Sequence, residues 1–138
     1  MKTLTVLLFI TFSLLCHIAF CQTDITGRWV APGEKGSGFV EVFVGNDGKY
    51  HGRFVQASDP DQDRQIRDRM RQDGKKEILI LENLSYTGNN TWGKGTVLSV
   101  SRQTKFGCKL KLKDPTHLIV TGYYGLSFLS KSFTWYRE

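Results

Sequence analysis

After residue 24 the apolar residues recur mostly at every second position, in short runs set off by turn signals. The segment "KFGCKLKLK" (105–113) shows this best. Phe106, Cys108, Leu110 and Leu112 fall on one side, and Lys105, Lys109, Lys111 and Lys113 on the other. Side chains alternate faces along a strand, so the segment reads as a strand with one buried and one wet face. Comparable runs lie at roughly 25–31, 38–44, 49–57, 77–86, 91–100, 105–113, 117–124 and 130–137. Pro32-Gly33, Asn46-Asp47-Gly48, Gly88-Asn89-Asn90 and Asp114-Pro115-Thr116 mark turns between them. Asp-Gly between alternating runs is a strong hairpin signal. Eight short strands joined mostly by tight turns predict an all-β fold, an antiparallel up-and-down barrel, because closing the meander removes its exposed edges.

One segment departs from this period. "SDPDQDRQIRDRMRQDG" (58–74) offers Asp59 as a helix N-cap and Pro60 at the first helical position. Acids come early, arginines late, and Gly74 supplies a stop, which is the order a helix dipole favours. Ile66 and Met70 give it a narrow apolar edge. The reading is one short helix between the third and fourth strands, either a charged surface helix or a lid over a barrel mouth.

The first 21 residues are read apart from the domain. Lys2 precedes an apolar stretch from Leu4 to about Leu15, and Ala19-Phe20-Cys21 places small residues at −3 and −1 of a cut before Gln22. This is the layout of a secretory signal peptide, which predicts a periplasmic or secreted domain over 22–138 with no integral membrane span after cleavage. An uncleaved anchor is the competing reading, and the bulk of Phe20 argues against acylation of Cys21. Cleavage removes Cys16 and Cys21 and leaves Cys108 alone, so no disulfide framework holds the fold.

About 40% of the chain is hydrophobic, enough for one core and too much for a disordered protein. Without residues 1–21 there are 18 Lys and Arg against 13 acids, a net charge near +5. That balance favours solubility and is too diffuse to indicate nucleic acid. The lysines of 105–113 have no interleaved aromatics on which bases would stack, so they read as the solvated face of a sheet. Asn83-Leu84-Ser85 and Asn89-Asn90-Thr91 match a glycosylation sequon, a pattern common by chance. No zinc spacing, phosphate loop or nucleophile elbow is present, and His51 and His117 are far apart without an acid or nucleophile beside them in sequence. The sequence therefore assigns no catalytic residue, metal or cofactor. Cys108, on an apolar phase, reads as a buried inert thiol.

"TGRW" (26–29) opens the first strand and "SFTWYRE" ends the last. In an up-and-down barrel these two strands pair. Trp29 is therefore read as a plug at the barrel end, Arg137 as its cation–π cover, and Gly27 as room for a close backbone crossing. A Gly-x-Trp on the first strand with an Arg on the last resembles the lipocalin and wider calycin pattern. More specifically, the chain resembles the bacterial domain family DUF2147. The stretches that carry this are "GRW" (27–29), "GKYHGRFV" (48–55), "EILILENL" (77–84), "WGKG" (92–95), "CKLKL" (108–112) and "GYYGLSFLSKSFTWYR" (122–137). The resemblance implies an exported, lipocalin-like β-barrel with a cavity for a hydrophobic ligand, and it carries no established reaction. Two departures stand out. The 58–74 segment replaces a cysteine pair of many relatives, against a redox role. "VSRQT" (100–104) replaces an acidic turn, against metal binding there.

The function expected is that of a binding module holding a small apolar or amphipathic molecule. The aromatic supply (Phe39, Phe43, Phe54, Phe106, Tyr124, Phe128) serves either a ligand or a filled interior. By alternation the ligand contacts are Val40, Val42, Phe54, Leu98, Phe106, Cys108, Leu110 and Tyr124, with Met70 reaching in from the helical segment. The reading from another class is a filled barrel that acts through its surface as a cell-envelope interaction protein. Open interior volume separates the two.

Overall fold

The computed structural model describes residues 24–124 and 129–138. The 1–21 segment and Phe128 lie outside the described residues. Eight strands form a closed antiparallel barrel in chain order: β1 (Gly27–Gly33), β2 (Gly36–Val44), β3 (Tyr50–Ala57), β4 (Leu79–Gly88), β5 (Thr91–Ser99), β6 (Thr104–Asp114), β7 (His117–Tyr123) and β8 (Ser130–Arg137). One helix, α1 (Pro60–Gln72), separates β3 from β4. The fold read from the periodicity is the fold observed. No described helix is long and apolar enough to cross a membrane.

The turns follow from local chemistry. Asn89 and Asn90 both take positive φ, 51° and 57°, between the paired Gly88 and Thr91. Two left-handed residues in a two-residue loop match the twist of the flanking strands, and Asn tolerates that conformation at low cost. The Asp47 side chain accepts from the Lys49 amide at 2.9 Å, with Gly48 at φ 76°. The first hairpin differs in detail from its sequence signal. Pro32 and Gly33 end β1, and the loop itself is Glu34–Lys35, with Gly33 opposite Gly36. In α1, Asp59 caps by accepting from the Gln62 amide at 3.2 Å, and Pro60 opens the first turn. Asp61–Arg64 and Asp63–Arg67 pairs then run along its wet face.

Two bulges set which residues face the barrel interior. Asn83 in β4 and Lys94 in β5 have φ of 61° and 62°, and the pairing register shifts between Trp92 and Gly95. An extra residue in a strand moves everything beyond it to the other face. Leu81 and Leu84, three apart, are therefore both inward and fully buried, and so is Trp92 with Gly95. Past the bulge Val97 pairs with Phe106 on the inward face, while Leu98 pairs with the exposed Lys105 on the outer face. Unbroken alternation from Trp92 puts Leu98 inside. The bulge at Lys94 puts Val97 there instead.

The core fills the lower half of the barrel, the end that carries both barrel termini. Trp29, Trp92, Ile25, Leu81, Leu84, Leu110 and Leu118 are among its fully buried side chains, and Trp135 is nearly so. Trp29 donates its indole N–H to the Ile25 carbonyl at 2.8 Å. The Arg137 guanidinium carbon stands 4.3 Å from the Trp29 ring centre. Its nitrogens donate to three backbone carbonyls, Pro115 at 2.7 Å, Thr26 at 3.0 Å and Asp24 at 2.7 Å. One side chain thus ties the last strand to the β6–β7 turn and to the lead into β1. Gly27 has φ 116°, and a Cβ there would lie 3.4 Å from Arg137 Nη1. Any side chain at Gly27 would meet both backbone strain and that guanidinium.

Candidate functional site

The other end of the barrel is built differently. Inward-facing residues that are buried low in the barrel give way to inward-facing residues that are partly open. Val40, Val42, Cys108 and Leu110 belong to the packed core. One or two pleats higher on the same faces, Phe54, Val97, Phe106 and Tyr124 are only half-buried. Phe106 and Tyr124 pack with ring centres 4.6 Å apart. Phe133 shares the inward face of Val120, its partner on β7, yet is 43% exposed. The β1–β8 seam is paired at only two positions, Trp29–Arg137 and Val30–Tyr136, both at the lower end. Above them Phe133 loses the cover that a neighbouring strand would give it. The result is an aromatic cup over a packed floor.

The structure divides the ligand contacts expected from sequence into three groups. Phe106 and Tyr124 come together on the wall of the cup, and Phe54 faces inward from β3 opposite Val40, beneath the Arg67 guanidinium. Val40, Val42, Cys108 and Leu110 form the floor beneath, closely packed on one another and on the tryptophans. Leu98 and Met70 do not face the interior. They line a separate cleft of about 440 Å³ between α1 and the outer side of β4–β6. The reason for Leu98 is the bulge at Lys94. Met70 follows because α1 is a surface helix at the rim, with Ile66 its buried residue.

That outer cleft is crossed by polar contacts within the protein. Lys105 pairs with Glu82 at 2.8 Å. Arg69 donates to the Val100 carbonyl at 3.3 Å, and the Gln103 amide oxygen, in the orientation that satisfies both groups, accepts from all three guanidinium nitrogens at 2.7–3.2 Å. Arg69 therefore fastens α1 to the β5–β6 turn, and the cleft is the seam left by helix packing. The cup, in contrast, presents partly exposed rings, three of them beneath a cation: Arg67 over Phe54, Arg102 over Tyr124 and Lys131 over Phe133.

The histidines and the free cysteine lie elsewhere. His51 and His117, without an acid partner in the sequence reading, each have one in space. His51 Nε2 lies 3.1 Å from Asp47, and Nδ1 accepts from the Asn83 amide at 3.3 Å. His117 Nδ1 lies 2.8 Å from Asp114. The partners stand four and three residues earlier, in the Asn46-Asp47-Gly48 and Asp114-Pro115-Thr116 turns that the sequence marks, but the turn signals alone do not show that each acid reaches its histidine. Both pairs sit on lower-end turns, where they brace loops. Desolvation pushes the Cys108 thiol up to about 12, which leaves it protonated and unreactive near neutral pH. Among the described residues no three His, Cys, Asp or Glu side chains are grouped to hold a metal ion.

Three residues of the open end escaped the sequence reading: Val97, Lys131 and Phe133. A signal for the last two is present in "SKSFTWYR" (130–137). Lys131, Phe133, Trp135 and Arg137 are one alternating phase, with Trp135 buried. For Val97 the odd spacing of Trp92 and Gly95 is the only hint.

Residues 27–137 match the family model DUF2147, described as an uncharacterized protein conserved in bacteria. Among solved structures, the Helicobacter pylori protein HP1028, described as belonging to the lipocalin family, is similar with a TM-score of 0.65. It is 16% identical, over 85% of this chain and 84% of that one. At that identity the likeness is one of fold. No curated protein matches the sequence.

Proposed function

The chain belongs to the DUF2147 family, and from that premise we propose that it is an exported, lipocalin-like binding protein, without enzymatic activity, that holds one small apolar or amphipathic molecule in the upper half of its barrel. The observation that carries this reading is the change along one face of the barrel. The same inward phase is buried at Cys108 and Leu110 and half-open at Phe106. Aromatic side chains left partly in water at a concave mouth lose free energy, roughly 25 cal/mol per Å² of apolar surface, that a ligand would recover. Few polar groups converge there, so burial and shape rather than oriented hydrogen bonds would select the ligand. Export is supported by the layout of residues 1–21.

Two measurements test the reading. Native mass spectrometry of protein purified from its host should find a retained small molecule. Titration of the neutral probe N-phenyl-1-naphthylamine should give saturable fluorescence enhancement at micromolar concentration, weakened by Phe106→Ala. If the protein carries nothing and the probe does not bind, the carrier reading falls and a surface-interaction role takes its place. Intact mass of the exported protein tests cleavage between Cys21 and Gln22. A mass that retains residues 1–21, or carries a lipid on Cys21, overturns that part.

A further inference from the structure

Around the open end most charged side chains are matched within the protein. Asp61 pairs with Arg64, Asp63 with Arg67, Glu82 with Lys105, and Arg53 with both Glu41 and Glu77. Among the described residues Lys35, Lys75, Lys76, Arg102 and Lys131 are without an ion pair, and of these Arg102 and Lys131 stand over aromatic rings of the cup. Neither of these two side chains has a hydrogen-bond acceptor among the described residues. The Arg102 guanidinium carbon is 6.0 Å from the Tyr124 ring centre, and Lys131 Nζ is 5.1 Å from that of Phe133.

Their placement is fixed by the fold. Arg102 lies in the β5–β6 turn that Arg69 fastens to α1. Lys131 is on the inward phase of β8, opposite Gly122, which in turn is opposite Cys108. A Cβ on Gly122 would meet only Val97 Cγ1, at 3.6 Å. The absence of a side chain there leaves the space below Lys131 free. Two unmatched cations thus overlook an apolar wall made of Phe106, Tyr124, Phe133 and Val97. Ring faces attract cations, but they do not neutralise them.

We infer that Arg102 and Lys131 recognise an anionic oxygen head, carboxylate or phosphate, on a single-chain amphiphile whose apolar tail lies against the aromatic cup. This rests on the binding reading above and specifies its ligand class. A guanidinium offers a two-donor fork to such a head and an ammonium adds a point charge. A neutral molecule of the same length would fill the cup and leave both cations unmatched.

The test is displacement of bound N-phenyl-1-naphthylamine by dodecanoate, dodecyl phosphate and dodecanol, each below its micelle concentration. At least one anion should bind about tenfold or more tightly than the alcohol, as a charge-assisted hydrogen bond implies. That preference should shrink as salt is raised. Which anion is preferred identifies the head group. In the double variant Arg102→Gln, Lys131→Gln the anion's affinity should fall toward that of the alcohol. Both side chains are exposed, so the fold tolerates their loss. Equal displacement by anions and alcohol overturns the inference and leaves the binding reading standing. An undiminished preference in the double variant overturns the assignment to these residues. Failure of the probe itself to bind overturns both readings.

Discussion

Asp114 shows how a single residue at a tight turn ties stability to pH. Its carboxylate accepts from His117 Nδ1 at 2.8 Å, and from the Thr116 amide and hydroxyl at 2.9 Å each. The His117 bond first, and the Thr116 amide after it, hold the carboxyl down at about 2, against an ordinary 3.8. A carboxyl whose folded pKa is depressed stabilises the fold above its unfolded pKa, and the contribution is lost as pH falls through the folded pKa. Wild type should therefore resist urea better than Asp114→Asn at pH 5, and the gap should close between about pH 4 and about pH 2. Denaturation midpoints of the two proteins across that range check it. A gap that stays constant would mean that the turn does not depend on the ionised carboxylate.

At the scale of the element, the paired bulges in β4 and β5 decide the packing of the wall. Gly95 lies at that crossing. A Cβ there would sit 2.5 Å from the Glu82 carbonyl oxygen and 2.6 Å from Leu84 Cγ. A backbone oxygen cannot swing away as a flexible side chain would. Gly95→Ala should cost about 1–3 kcal/mol, the usual range for overpacking. Gly107→Ala on the next strand has nothing within 4 Å of the added Cβ and should change stability by no more than about 0.5 kcal/mol. Urea unfolding of the two variants compares them directly. Equal, small effects would show that the bulge relaxes.

For the whole molecule the critical feature is closure. Six of the eight strand pairs are registered at five or more positions and β3–β4 at three, whereas β1 and β8 meet at two. Trp29 and Arg137 hold that seam. Trp29→Ala should cost about 3–5 kcal/mol, as for other large buried aromatics. Arg137→Ala should cost less, because the guanidinium donates to carbonyls at a partly wet end. The two losses should fall short of additivity by about 0.5–3 kcal/mol, since the residues touch and share the same closure. A double-mutant cycle measures this, and full additivity would separate the plug from its cover. The same geometry makes the barrel a cup: firmly closed and filled below, wide at the seam and half-open above.

The sequence by itself determined the number of strands, their order, the helix with its Asp59 cap, and the meeting of Trp29 with Arg137. These depend on local signals, alternation and turn chemistry, plus one topological rule, that a closed meander brings its first and last strands together. The Lys105–Lys113 stripe on the wet side of β6 was legible for the same reason. Only the tertiary structure decided that Val97 rather than Leu98 faces inward, because a bulge is fixed by the strain of curling two paired strands and not by the preference of either one. It alone separated Cys108 and Leu110 on the floor from Phe106 on the wall, since all three share one phase and differ only in height along the barrel. It alone gave His51 and His117 their acids. And it alone left Arg102 and Lys131 unmatched over the cup, because whether a charge has a partner depends on what closure brings beside it.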